Sequence, residues 1–247
     1  MTVVPLPSPI VIADASGLAA LAQELAQEPA IGVDTESNSL FAYRERVCLI
    51  QFSTQERDYI VDPLVLSDLN ALAPLFANPR QQKVFHAAEY DLLGLKRDYG
   101  FECANLFDTM IAAGTMGWQQ MGLAAILEAR FGVKLNKRYQ RSNWGQRPLT
   151  ADQLDYARRD THYLLPLRDL LQAALSAQGR VEEAYEAFAL LAQVPGDSKP
   201  TANDRFWRIN GARDLTPTQA SVLQQVYSYR EQQADHTDQP PFKVMSE

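Results

Sequence analysis

The run Ala30-Ile31-Gly32-Val33-Asp34-Thr35-Glu36 decides how this chain is read. Four apolar or small residues followed by two acids two positions apart describe a central strand that turns acidic at its C-terminal end. Residues i and i+2 of a strand emerge on one face, so Asp34 and Glu36 can share a ligand. An acidic pair buried without a cation is costly, whereas hard divalent cations favour oxygen donors. Taken alone, D-x-E fits equally well the solvent face of an edge strand.

Outward from this strand, PIVIAD predicts a short strand and Ser16 caps a helix over LAALAQELAQ. RVCLIQFST and RDYIVDP are strand-like, the first reached through the polar turn SNSLFAYRE, and Lys83 to His86 adds another strand before a helix through Asp91 and Leu95. From about Asp108 the pattern is helical: LFDTMIAAGTM, GLAAILEARF and DQLDYARRDTHYLLPLRDLLQAAL. A mixed sheet followed by helices predicts an α/β fold with a helical C-terminal half. The stretch QVPGDSKPTAND, residues 193–204, reads as a linker between a body of residues 1–192 and a helical tail of residues 205–247. Leu215 to Tyr229 in that tail is amphipathic and wants a partner surface.

No apolar run approaches the roughly 20 residues needed to span a bilayer, and the N-terminus lacks a signal-peptide pattern, so a cytoplasmic location is expected. Cys48 and Cys103 have no metal-ligand spacing and read as buried free thiols. The net charge of −7 argues only weakly against a nucleic-acid partner, because divalent cations on an acidic site would change the local sign of charge. Positive charge is concentrated in RFGVKLNKRYQRSNWGQR, where Arg130, Lys134, Lys137, Arg138, Arg141 and Arg147 occur without an acid. Such a strip fits a phosphate backbone or a merely solvated loop.

Two further stretches carry acids. Asp91 follows the strand-to-helix turn FHAAEYD, near where strands of an open α/β sheet end. Tyr156 and Asp160 stand one helical turn apart on one face. A phenol with a pKa near ~10 is a poor base at neutral pH, so Tyr156 suits orientation of a water whose pKa a metal lowers. The pair also fits an ordinary half-buried helix face, and His86 a histidine satisfied by local hydrogen bonds.

Together VDTESNSL, VFHAAEYDLLGLKRDYG and LDYARRDTHYLLPL resemble the three motifs of the ribonuclease D family, in the tyrosine subclass of DEDD 3′–5′ exonucleases. LFDTMIAAGTMGW and KRYQRSNWGQRPL extend the resemblance over roughly residues 10–190. It implies a ribonuclease H-like fold and two divalent cations, Mg²⁺ or Mn²⁺. It also implies that Asp34, Glu36 and Asp160 hold the metal nearer the water, Asp34 bridges to the second, Asp91 holds the second, and Tyr156 orients the nucleophile. Ser37 departs from the aromatic residue that the family has after the Glu, and DTExxSL is closer to proofreading exonucleases, which shifts contact with the terminal base to Leu40 or Phe41. Thr35, His86, Lys137, Arg138, Arg141, Trp144 and Arg147 complete the expected nucleic-acid contacts. The tail from Phe206 resembles the start of an HRDC module, incomplete within this chain.

The expected activity is release of nucleoside 5′-monophosphates from single-stranded RNA 3′ ends, in transfer RNA or other structured-RNA processing. A DNA 3′–5′ exonuclease is the alternative that DTExxSL favours, and a non-catalytic nucleic-acid-binding adaptor is opposed by the presence of all four acids and Tyr156. GxSxG, GxGxxG and GxxxxGK are absent, which leaves serine-hydrolase and nucleotide-binding readings unsupported.

Overall fold

A computed structural model describes residues 6–66, 68–195 and 205–246. Most of the expected linker, residues 196–204, lies outside the described residues. Six strands form one mixed sheet: β1 (Ile10–Ile12), β2 (Ala30–Ser37), β3 (Val47–Ser53), β4 (Asp58–Val61), β5 (Gln82–Phe85) and β6 (Leu106–Asp108), in the order β1-β4-β3-β2-β5-β6. β2 runs antiparallel to β3 and parallel to β5. β2 is therefore central, as its apolar run requires, and every residue of β3 is buried.

The helices are α1 (Ala15–Leu25), α2 (Ala73–Ala77), α3 (Glu89–Tyr99), α4 (Thr109–Thr115), α5 (Leu123–Phe131), α6 (Ala151–His162), α7 (Leu164–Ala177), α8 (Val181–Ala192), α9 (Pro217–Thr237) and α10 (Pro241–Val244). α6 lies across β2, β3 and β4, and α7 across β2 and β5. Gly32 permits this approach: a Cβ there would stand 3.0 Å from the Thr161 carbonyl and 3.4 Å from Leu164 Cβ. Since Gly32 faces α6 and α7, so do Asp34 and Glu36, while Thr35 faces the opposite layer.

Three local expectations are corrected. Asp14, not Ser16, caps α1: its carboxylate accepts from the Gly17 N–H, and the Ser16 hydroxyl donates to the same carboxylate. An ionised acceptor is the stronger cap. Leu106–Asp108 is a sixth strand rather than part of a helix; it runs directly into α4, which masks it, and Asp108 ends the strand by capping that helix. The long helix expected over DQLDYARRDTHYLLPLRDLLQAAL is two helices that meet at Tyr163. Pro166 has no N–H for the His162 carbonyl and its ring would strike it, so α6 ends there and the proline sits in the first turn of α7.

Both cysteines are free. Cys48 is buried and Cys103 partly buried. Burial pushes each thiol up to about 11, which suits packing and not nucleophilic chemistry.

Helix α9 packs against the β2–β3 loop. The Tyr43 hydroxyl donates to Glu231 at 3.2 Å, the Arg44 N–H to Asp238 at 3.0 Å, and the Arg44 guanidinium to Asp235 at 2.9 Å. Helix α9 thus turns Tyr227, Arg230 and Ala234 inward; of the segment expected to be amphipathic, Leu215 to Tyr229, Tyr227 is buried while Val222, Val226 and Tyr229 stay exposed.

Candidate active site

Because β5 runs parallel to β2, the turn that follows β5 arrives beside the acidic end of β2. That turn, His86 to Ala88, starts α3 and brings Asp91 to the strand. Ala87 adopts φ 61°, and the Asp108 carboxylate holds the turn by accepting from the N–H groups of Ala87 at 3.3 Å and Ala88 at 2.7 Å. One oxygen of Asp91 accepts both the backbone N–H of Thr35 at 2.8 Å and its hydroxyl at 2.6 Å.

From the other layer, α6 presents Tyr156 and Asp160, its start fixed by a capping box between Thr150 and Gln153. Carboxylate oxygens of Asp34, Glu36 and Asp160 all lie within 4.8 Å of one another, so the three can converge on one cation. Asp91 stands beside this trio, close enough to raise the pKa values of Asp34, Glu36 and Asp160.

Burial is the first cause of every shift among these acids, and their mutual repulsion adds to it. Asp34 and Glu36 are held well above the carboxylate range. Burial lifts Asp91 to about 7 against the opposing hydrogen bonds from Thr35. Asp160 also reaches about 7, opposed by hydrogen bonding from Tyr156 and reinforced by Asp91. Tyr156 is raised by burial and then by Asp160, Glu36 and Asp34, so its hydroxyl stays protonated at neutral pH.

Two cavities meet at Asp34, Thr35, Glu36 and Gln140. One, of about 390 Å³, reaches His86, the start of α5, Lys137, Tyr156 and Asp160. The other, of about 270 Å³, reaches Leu40, Tyr90 and Asp91. A third, of about 350 Å³, opens from Tyr156 and Asp160 toward Lys134, Arg138 and Arg159.

These positions sort the expected nucleic-acid contacts. Thr35, Leu40, His86 and Lys137 line the acid-bearing cavities, Arg138 lines the third, and Arg141 is exposed on the same loop. His86 is also tied locally. Thr109 spends its hydroxyl proton on the Phe85 carbonyl at 2.9 Å, so it accepts from His86 Nδ1 at 2.9 Å. Burial lowers the His86 pKa, and the neutral ring with Nδ1 protonated leaves Nε2 as an acceptor. Phe41 does not line these cavities; Lys243 of α10 sits over its ring at 4.7 Å.

Arg147 is a correction. Trp144 is 1% exposed and stacks on Tyr156 with ring centroids 5.9 Å apart, so it supports that ring, and it lines the cavity of Leu40 and Tyr90 with little exposed surface. Arg147 gives Asp62 a bidentate pair at 2.7 and 2.8 Å and donates to the Trp144, Gln146 and Cys48 carbonyls. Its guanidinium is committed to holding the basic loop on the sheet and is not offered to phosphate.

Tyr90 was not expected. It is 81% exposed and lines the cavity with Asp34, Glu36 and Asp91. An exposed aromatic side chain next to a motif acid was the available signal.

The 3′–5′ exonuclease family profile matches residues 9–176. Ribonuclease D of Acidiphilium cryptum is 32% identical over 241 residues, covering 97% of this chain and 61% of that protein. The catalytic core of RRP6 from Trypanosoma brucei superposes with a TM-score of 0.88 at 31% identity, covering 100% of this chain and 69% of that one. Escherichia coli RNase D, an exoribonuclease involved in structured RNA processing, gives 0.79 at 30% identity over 97% of this chain and 64% of its own. The chain spans less than two thirds of the length of the first curated relatives it matches.

Proposed function

Because this chain belongs to the 3′–5′ exonuclease family, we propose that it is a metal-dependent exoribonuclease that releases nucleoside 5′-monophosphates from single-stranded RNA 3′ ends. One observation carries the reading: half-buried carboxylates from β2 and α6 converge within 4.8 Å on a cavity that also holds Tyr156. Such a cluster is unfavourable by itself, since its members resist ionisation; an all-oxygen donor set of this charge fits Mg²⁺ or Mn²⁺. Asp34, Glu36 and Asp160 would hold one cation, and Asp34 with Asp91 a second. Divalent cations there would offset charge on the attacking and leaving oxygens of the phosphodiester.

The chain's own groups do the rest. Protonated Tyr156 cannot serve as the base at neutral pH, so its hydroxyl orients the attacking water. His86 Nε2 can accept from a sugar hydroxyl, and Leu40 and Tyr90 flank the space for the terminal nucleotide. Lys137, Arg138 and Arg141 offer charge to the preceding phosphates. Hydrolysis joins the water oxygen to phosphorus and breaks the bond to the 3′ oxygen of the penultimate nucleotide.

RNA is favoured over DNA because the similar proteins are a ribonuclease D, an RRP6 catalytic core and an exoribonuclease. Trimming of structured-RNA precursors, such as transfer RNA, follows from the same likeness. No helix among the described residues is long and apolar enough to cross a membrane. We propose that the protein acts on RNA in the cytoplasm. We further assign residues 1–192 as the exonuclease domain and residues 205–247, beyond the linker, as a helical segment like the start of an HRDC module.

The test uses 5′-labelled RNA and DNA of one sequence, with Mg²⁺, with Mn²⁺ and with chelator. RNA should shorten stepwise from its 3′ end, release 5′-monophosphates and stay intact in chelator. Faster loss of DNA would move the assignment to the DNA enzyme, and turnover in excess chelator would remove the metal-dependent reading.

A further inference from the structure

Gln51 lies in the middle of β3 and is fully buried, yet neither its amide nitrogen nor its amide oxygen has a hydrogen-bond partner. Among the described residues it is the one buried carboxamide that is unpaired at both ends. A buried amide with nothing to bond has given up its hydration without replacement, so its presence needs a reason.

The register supplies one. Gln51 is the cross-strand partner of Asp34 in the antiparallel β2–β3 pair, and directly opposed residues emerge on the same face. That face lies under α6. Two residues toward one end, Ser53 hydrogen-bonds Thr161 at 2.6 Å; two residues toward the other, Leu49 packs in one cluster with Ala157. The carboxamide therefore sits between the strand that carries Asp34 and the turn of α6, 157–161, that carries Asp160. Its other cross-strand neighbour, Ile60, is apolar and buried in the same cluster. An aliphatic residue would match these surroundings.

We infer that Gln51 is a positioning residue for the metal acids, its amide nitrogen donating to the carboxylate of Asp34 when a divalent cation is bound. The unpaired amide nitrogen then has an acceptor on the strand that carries the site. Groups that orient metal-binding carboxylates from behind typically change metal affinity by about 10–100-fold when removed. The inference rests on the metal-dependent reading above.

The test substitutes Gln51→Leu and, as a second apolar residue of similar volume, Gln51→Met. Mn²⁺ binding is measured by isothermal titration, thermal unfolding is followed in chelator, and single-stranded RNA affinity is measured in chelator. Mn²⁺ affinity should fall roughly 10-fold or more in both variants. Unfolding temperature in chelator should be unchanged or higher, and RNA affinity in chelator unchanged. Wild-type Mn²⁺ affinity in folded variants would overturn the inference. So would loss of the metal-free fold in both variants, because the amide would then be serving the fold itself. A wild-type protein that binds no Mn²⁺ would overturn the metal-dependent reading, and this inference with it.

Discussion

Thr35 gives both of its hydrogen-bond donors, the backbone N–H and the side-chain hydroxyl, to a single oxygen of Asp91. Thr35 sits between Asp34 and Glu36 on β2, so this pair of bonds locks α3 to the acidic end of the strand from the face opposite α6. Both bonds favour the ionised carboxylate and oppose the rise that burial causes. In Thr35→Val the hydroxyl bond disappears at nearly constant volume, and Asp91 should become harder to ionise. Mn²⁺ affinity is expected to weaken at pH 6.5 and to recover at pH 8.5. Equal affinity ratios for variant and wild type at both pH values would count against the effect.

The same acids make a statement about stability. In the metal-free protein Asp91 and Asp160 titrate near about 7 and Asp34 and Glu36 well above the carboxylate range, against about 4 in an unfolded chain. Between about pH 4 and 7 the folded state then binds more protons than the unfolded state, so stability should fall as pH rises. Each extra bound proton steepens the slope by about 1.4 kcal/mol per pH unit. Chemical denaturation in chelator should show this decline, Asp91→Asn should flatten it, and Mg²⁺ should counter it. A metal-free protein that gains stability from pH 5 to 7 would contradict the shifts.

Asp34→Asn should be the most damaging single change to activity, since Asp34 is the one member of the carboxylate trio assigned to both cations. The activity of each Asn or Gln variant of the four acids, measured across a Mg²⁺ titration, ranks them. Full activity of Asp34→Asn would remove its assigned role.

Tyr156→Phe separates water orientation from packing. The ring lies between Trp144, at 5.9 Å, and Tyr139, at 6.2 Å, and phenylalanine preserves those contacts. Turnover should drop by roughly 10²-fold while RNA affinity and unfolding temperature hold. Unchanged single-turnover rates would make Tyr156 a packing residue.

The basic loop divides into two kinds of arginine. Changing Lys137, Arg138 and Arg141 to Gln should weaken single-strand binding and reduce the log–log salt slope by roughly 0.7 for each phosphate left without its cation. Salt titrations with calcium in place of magnesium measure this without cleavage. Arg147→Gln should instead destabilise the fold, on the order of 3 kcal/mol, because it leaves Asp62 and three carbonyls without their partner. Thermal unfolding distinguishes the two outcomes.

Short-range chemistry made much of this protein legible in its sequence. The alternation and apolar content of β2, β3 and β4 marked the sheet. The two-residue spacing of Asp34 and Glu36 and the four-residue spacing of Tyr156 and Asp160 placed each pair on one face, because strand and helix periods are fixed by the backbone. The three-residue β6 escaped, because it runs directly into α4 and its residues read as part of that helix.

What the sequence determined by itself was the inventory: a mixed sheet, four acids, a tyrosine and a basic loop. Tertiary structure alone decided which side chains of that inventory are free to act. Trp144 and Arg147 lie in the same basic segment as Lys137, yet one is stacked on Tyr156 with 1% of its surface exposed and the other is spent on Asp62 and three carbonyls. Tyr90, by contrast, opens into the cavity. Gln51 reads as one polar residue in an apolar strand until pairing with β2 sets it opposite Asp34. The physical reason is that burial and hydrogen-bond partners are set by contacts between segments tens of residues apart, and no local period encodes them.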